Sequence, residues 1–178
     1  AVGRTQELVY ALNRMITDKE VPRIPVFVDS PLAINATDIF KKYPDYFDDD
    51  THEFVRTGKH PALTFKGLRY TRPVAESKEI NEMDEPMVII SASGMAEAGR
   101  ILHHLIRNVE DERNTICIVS WQAPYTLGRR LAERQKTVRI FGDEVRVRAE
   151  IATIGGFSAH GGQDMLLDYA RAANGNGL

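Results

Sequence analysis

Two spacings of hydrophobic residues alternate along this chain. In the first, apolar side chains recur every three or four residues, as they do on one face of a helix. Leu8, Leu12, Met15 and Ile16 follow this spacing and predict a helix over residues 4–16. The same spacing predicts further helices at 34–43, 77–83, 126–134 and 163–173, and one from the residues after Gly94 to about 109.

In the second spacing, short continuous apolar runs end at turn residues, which is typical of buried strands. Such runs occupy residues 24–30, 87–91 and 114–120, and the stretch 137–154 is rich in β-forming residues, with a hairpin turn expected at Gly142–Asp143. Strands that alternate with helices predict an α/β fold with a mostly parallel sheet flanked by helices on both faces.

The remaining segments carry weaker patterns. Residues 43–54 are predicted to form an acidic surface connection in which Asp48, Asp49 and Asp50 are a solvated loop, and residues 58–85 an insertion around one short helix. Cys117, the only cysteine, lies in an apolar run and is expected to be a reduced, buried thiol.

Composition narrows the classes of function. The 178 residues carry a formal net charge of −2, which argues against a nucleic-acid module held by bulk positive charge, although 23 Lys and Arg still allow a local basic groove. No apolar run approaches the roughly 20 residues of a membrane span. We expect a cytoplasmic protein of about one domain's length.

Loops after the strands are the expected ligand positions, because parallel sheets bind ligands at the carboxyl ends of their strands. The loops are Asp29–Pro31, Ser91–Gly94 and Ser120–Ala123. Ser91, Ser93, Gly94 and Met95 could cradle a phosphate at a helix N-terminus, or they could form a plain strand-to-helix turn with serine as the cap. The same two interpretations hold for Arg4 near the first helix.

His160 stands apart from the other histidines because it lies between Gly155–Gly156 and Gly161–Gly162. An accessible histidine can donate a proton to a leaving oxygen near neutral pH, and Ser158 can offer its hydroxyl to a phosphate. A flexible interdomain hinge is the alternative. His52 and His60 are expected to be bystanders, and the adjacent His103 and His104 point about 100° apart and cannot form a zinc pair.

Several motifs taken in order resemble the β-CASP domain of the metallo-β-lactamase-type nucleases, a group with ribonuclease J-like and archaeal enzymes and the endonuclease of mRNA 3′-end formation. The matching segments are AVGRTQEL (1–8), VFVDSPLA (26–33), SASGMAEAGRILHHL (91–105), WQAPYTLGRRLA (121–132) and GGFSAHGGQDML (155–166).

This resemblance implies a zinc-dependent ribonuclease, in which two zinc ions are held by a metallo-β-lactamase domain and RNA lies in the cleft between the two domains. His160 would be the general acid. The implied substrate-binding residues are Ser158, Ala159, Ser91, Ser93, Gly94, Arg4, Asp29 and Ser30. No metal ligand is expected in this chain, because it contains no zinc motif.

The resemblance also divides the chain into a β-CASP domain (1–154) and an exit segment (155–178) that leads back towards an absent lactamase domain. The chain by itself is therefore expected to fold and to be inactive, and the parent protein could form a homodimer. Alternatives are a non-catalytic RNA-binding or assembly subunit of the same family and, on the fold alone, a domain that binds nucleotides or sugar phosphates.

One loop departs from the family pattern. Related sequences usually read Gly-Tyr-Gln-Ala-Glu-Gly-Thr where this chain has Ser120 to Thr126, and Pro124-Tyr125 makes this loop bulkier and stiffer. The bulkier loop suggests that Trp121 or Tyr125 stacks on a base.

Overall fold

The architecture alternates helices and short strands, as a computed structural model describes it for residues 3–58, 61–157 and 162–174. The helices are α1 (Arg4–Thr17), α2 (Pro31–Lys42), α3 (Asp49–Gly58), α4 (Val74–Ile80), α5 (Ile101–Asn108), α6 (Leu127–Ala132) and α7 (Gln163–Asn174), with a 3-10 helix at Pro44–Tyr46. The strands are β1 (Val26–Asp29), β2 (Leu68–Tyr70), β3 (Val88–Ser91), β4 (Thr115–Ile118), β5 (Thr137–Ile140), β6 (Asp143–Arg146) and β7 (Glu150–Thr153).

Parallel pairing dominates the sheets. β1 lies between β2 and β3 and is parallel to both, while β4 pairs in parallel with β7. β5 and β6 form an antiparallel hairpin. The predicted α/β class is therefore confirmed, with the parallel strands divided between two hydrogen-bonded sheets.

Two hydrophobic clusters hold these sheets. The first packs Val26 and Val28 of β1 against α1 and α2, and it includes Ala62, Leu63 and Phe65. The prediction that residues 58–85 are an insertion was therefore wrong, because their apolar side chains complete the first core and β2 lies among them. The second cluster surrounds Leu131 of α6, and it gathers residues of α5, β5 and β7.

The acidic segment is helical, which the sequence analysis missed. The Asp48 carboxylate accepts a hydrogen bond from the Thr51 amide at 2.8 Å, as an N-cap does, and Asp49 and Asp50 occupy the first turn of α3. Acidic side chains are favourable there because they face the positive end of the helix dipole.

The hairpin turn and the exposure of Cys117 also differ from the predictions. The hairpin turns at Phe141 and Gly142, and Asp143 already belongs to β6. Cys117 is exposed, because β4 directs Ile116 and Ile118 towards the second cluster and Cys117 to the opposite face. None of the helices in the described ranges is long and apolar enough to span a membrane.

Candidate nucleic-acid interface

The carboxyl ends of the parallel strands bring the predicted loops together. Asp29 at the end of β1 is in register with Ser91 at the end of β3, and Ile118 of β4 is in register with Thr153 of β7. The loop after each strand therefore starts beside the loop of its partner.

The loop after β3 is folded on itself. The Ser91 hydroxyl donates to the Asp29 carbonyl at 2.9 Å, and the Ser93 hydroxyl accepts from the amides of Glu97 and Ala98 at 3.3 and 3.4 Å. Residues 94–100 form turns, and α5 begins only at Ile101. The predicted helix start directly after Gly94 was therefore wrong. Gly94 itself is exposed at the surface of the loop.

A buried glutamine joins the loops after β3 and β4. The Gln122 side chain is 4% exposed, and its Nε2 donates to the carbonyls of Gly94 and Ser120 at 2.8 and 2.9 Å. The Ser120 hydroxyl donates to the same Gly94 carbonyl at 3.1 Å. These contacts hold Ser93 and Gly94 beside the β4 loop, so two of the predicted substrate-binding residues are preorganised.

Gly128 in α6 makes room for this glutamine. A Cβ at position 128 would lie 1.8 Å from Gln122 Oε1 and 2.9 Å from the Met95 carbonyl oxygen, and the Gly128 amide already donates to that carbonyl.

We expect Gly128→Ala to lower the free energy of unfolding by about 1–3 kcal/mol, because the backbone or Gln122 must shift. Urea unfolding measures this, with Gly142→Asn as control, since a Cβ there meets nothing within 4 Å and asparagine accepts the left-handed φ of that turn residue. An equal loss in both variants would contradict the packing argument.

Asp29 is the centre of a buried polar network. Its carboxylate is 0% exposed and accepts from the Ser77 hydroxyl at 2.6 Å, from His104 Nε2 at 2.7 Å and from the Arg100 guanidinium at 2.6 Å. Arg100 also donates to the Thr71 carbonyl at 3.1 Å. The network thus joins the end of β1 to α4, to α5 and to the segment after β2.

These partners set the ionisation of Asp29. Burial alone would raise the pKa of its carboxyl, but the hydrogen bonds from His104, Ser77 and Arg100 and the charge of Arg100 outweigh burial and lower that pKa. The carboxylate therefore stays charged near neutral pH and faces inward. Asp29 was predicted to contact substrate; in this structure its carboxylate has no exposed surface and its hydrogen bonds join the segments around it.

Ser30 has a local task. Its hydroxyl accepts a hydrogen bond from the Ala33 amide at 3.3 Å and caps α2, with Pro31 in the first turn, and its side chain is 5% exposed. The Ser30 hydroxyl therefore serves as the N-cap of α2, and little of the serine's surface is accessible to a ligand.

A cleft of about 500 Å³ opens beside the β4 loop. Arg4, Trp121, Arg129 and residues 153–155 contribute to its lining. Arg4 Nε donates to the Phe157 carbonyl at 2.8 Å, so the start of α1 holds the segment that follows β7. Trp121 is 65% exposed, so most of its indole is available to a ligand.

Three predicted site residues, Ser158, Ala159 and His160, lie outside the described residues, and their predicted roles stay predictions. Just before them, a Cβ at Gly155 or Gly156 would meet nothing within 4 Å. Within this chain, close packing therefore does not require glycine at these two positions.

The partners of Asp29 were not predicted from the sequence. Arg100 and His104 lie 71 and 75 positions further along the chain, and each was read as part of a helix without a site role. A weak signal existed, since Arg100 and His104 are four residues apart and can share one helical face.

Comparison with known proteins identifies the family. The Beta-Casp domain matches residues 5–131. The chain is 38% identical to "Ribonuclease TTHA0252" of Thermus thermophilus, over 95% of this chain and 38% of that protein. It is 30% identical to "RNase J-like protein" of Methanocaldococcus jannaschii, over 96% of this chain and 38% of that protein. It is 33% identical to "Transcription termination factor FttA" of Pyrococcus abyssi, over 95% of this chain and 26% of that protein. The chain spans less than two fifths of each of these relatives, and it belongs to the Beta-Casp domain family.

Proposed function

We propose that the protein to which this chain belongs is a metal-dependent ribonuclease of the hydrolase class, and that this chain forms one wall of the RNA cleft. The supporting observation is the convergence of the β3 and β4 loops, tied together by Gln122, beside a cleft lined by Arg4 and Trp121. Names that refer to ribonucleases and transcription termination among the relatives agree with a role in RNA processing. We also propose a cytoplasmic location for the protein.

The chemistry of the cleft suits a single-stranded polyanion. In the cleft, the Arg4 guanidinium can pair with a phosphate and the Trp121 indole can stack on a base. The neighbouring β3 loop does not line the cleft, and its Ser93 and Gly94 allow close approach of a backbone. His160 would protonate the departing oxygen, and Ser158 and Ala159 would contact the phosphate beside it. Ser91 acts through the loop, because its hydroxyl is used by the Asp29 carbonyl.

We propose that the metal is held by residues other than those described. The described part of the chain offers no group of three or more His, Cys, Asp or Glu side chains placed to hold a metal ion. These residues do not fit a zinc site. The two zinc ions remain a proposal about a metallo-β-lactamase domain that would complete the cleft.

Metal removal tests this function. The full-length protein is expected to cleave a 5′-labelled single-stranded RNA, to lose that activity after dialysis against a chelator, and to recover it when Zn²⁺ is added. Denaturing gels measure the products. Cleavage that survives chelation would refute the metal dependence. RNA binding without cleavage would show a binding or assembly subunit, and saturable binding of mononucleotides without RNA binding would favour a nucleotide-binding domain.

A further inference from the structure

A second aromatic surface lies where the β4–α6 loop meets the hairpin. Tyr125 is 90% exposed and Phe141 is 57% exposed. Both line a depression of about 150 Å³ together with Arg130 and Arg139. We call these four residues the aromatic–arginine patch. The depression shares no lining residue with the larger cleft.

Both aromatic residues have positive φ angles, a backbone conformation that is unfavourable for bulky side chains. The φ angles are 71° at Tyr125 and 54° at Phe141, in the left-handed region where bulky residues are rare. Phe141 and Gly142, with φ of 92°, are the two central residues of the hairpin, and a turn with two positive φ angles prefers Asn-Gly. Glycine or asparagine would therefore serve folding better than either ring.

Packing of the two rings offsets little of the free-energy cost of these positive φ angles. The Phe141 ring contacts the His103 ring at a centroid distance of 4.8 Å, yet more than half of Phe141 remains exposed. Tyr125 is almost fully exposed. Residues held in sparsely populated backbone conformations cluster at active sites and ligand-binding segments.

The two arginines add positive charge, and Arg139 is in register with Glu144 of β6 without forming a salt bridge to it. In the part of the chain that the structure describes, salt bridges engage other arginines but neither Arg130 nor Arg139. The acidic side chain in the depression is Glu97, and its carboxylate accepts a hydrogen bond from the Leu127 amide at the start of α6. The depression thus presents two guanidinium groups against one carboxylate that already has a partner.

We propose that the aromatic–arginine patch binds single-stranded RNA where the strand continues beyond the cleft. Unstacked bases lie against Tyr125 and Phe141, and Arg130 and Arg139 pair with the phosphates between them. Separate rings with interleaved guanidinium groups are the chemistry that recognises single strands, because every base has a face to stack while the backbone supplies negative charge. This inference rests on the proposed function, since it requires RNA in the cleft.

The test uses Tyr125→Asn, Phe141→Asn and the double variant of the full-length protein. Asparagine tolerates positive φ, so both substitutions remove a ring without disfavouring the turn, and the thermal midpoint should stay equal or rise. Fluorescence anisotropy measures the binding of fluorescein-labelled oligouridines of about 5 and about 15 nucleotides, lengths that span one short and one long binding site. Gels verify afterwards that the probes are intact.

We expect each single variant to weaken binding of the longer RNA about 5-fold or more, and the double variant about 30-fold, because each ring stacks on one base. Binding of the shorter RNA, which the cleft can hold alone, stays unchanged. Tyr125→Phe keeps the wild-type affinity. Tyr46→Asn is the matched control, since Tyr46 is 87% exposed in the 3-10 helix and lines neither depression nor cleft.

The outcomes separate the two proposals. If the wild type binds neither RNA, the proposed function fails. If the wild type binds both and the asparagine variants bind the longer RNA equally well, only the patch is refuted. Equal weakening for both lengths would also overturn the separate patch. A change from dimer to monomer in light scattering, with RNA binding intact, would show instead that the patch contacts a second copy of the chain.

Discussion

Asp29→Ala is expected to lower the free energy of unfolding by about 3–5 kcal/mol, because removing one member of a buried ion pair leaves its partners without compensation. Asp29 has no exposed surface, and its loss would leave the Arg100 guanidinium, the His104 ring and the Ser77 hydroxyl without their shared acceptor. Urea unfolding followed by circular dichroism measures the effect. Asp29→Asn keeps the size of the side chain but loses its charge, and should give an intermediate loss.

An exposed aspartate provides the control for this experiment. Asp38 forms a salt bridge with Arg72 in which both side chains are about half exposed, and Asp38→Ala should cost less than about 1 kcal/mol. Equal losses at positions 29 and 38 would refute the buried network as a source of stability.

The pH dependence of the same variants tests the charge of Asp29. The pKa of Asp29 is lowered in the folded chain, so its stabilisation is present above the unfolded pKa of about 3.9 and is lost as the pH falls through the lower folded value. The difference between the wild type and Asp29→Asn should therefore be largest near neutral pH and shrink below about pH 4. A difference that grows in acid would contradict the lowered pKa.

Local patterns account for most of the predicted elements. The buried runs became β1, β3 and β4, and helical spacing located α1, α2, α6 and α7, because periodic burial of apolar side chains is visible in sequence. The start of α5 was misplaced by several residues. The Ser93 hydroxyl bonds the amides of a tight turn, and Gly99, with φ of 86°, lies so close to the Ala92 carbonyl that a Cβ would meet its oxygen at 2.6 Å.

The candidate site was only partly visible in the sequence. Composition and spacing could place Ser93 and Trp121 on loops after strands, because that position depends on local order alone. They could not show that Gln122 ties two loops together or that Asp29 is enclosed by Arg100 and His104. Those contacts join positions 26 to 75 residues apart in the chain, and only the packing of α5 and β4 beside the other strands brings them together.

His160→Ala in the full-length protein is expected to reduce turnover of RNA about 100-fold or more, because a general acid contributes roughly that factor to the departure of a poor leaving group. RNA affinity and zinc content should not change. His52→Ala, in the exposed part of α3, is the control and should keep wild-type turnover.

A change of leaving group distinguishes proton donation from a structural role of His160. A bis(p-nitrophenyl) phosphate ester releases a weakly basic phenolate that needs little protonation, so the defect of His160→Ala should shrink towards the wild-type rate with this substrate. A general disturbance of the cleft would slow both substrates equally, because it would misplace the phosphate whichever group departs. Equal defects with RNA and with the activated ester would therefore refute the general-acid role while leaving the RNA-binding proposal intact.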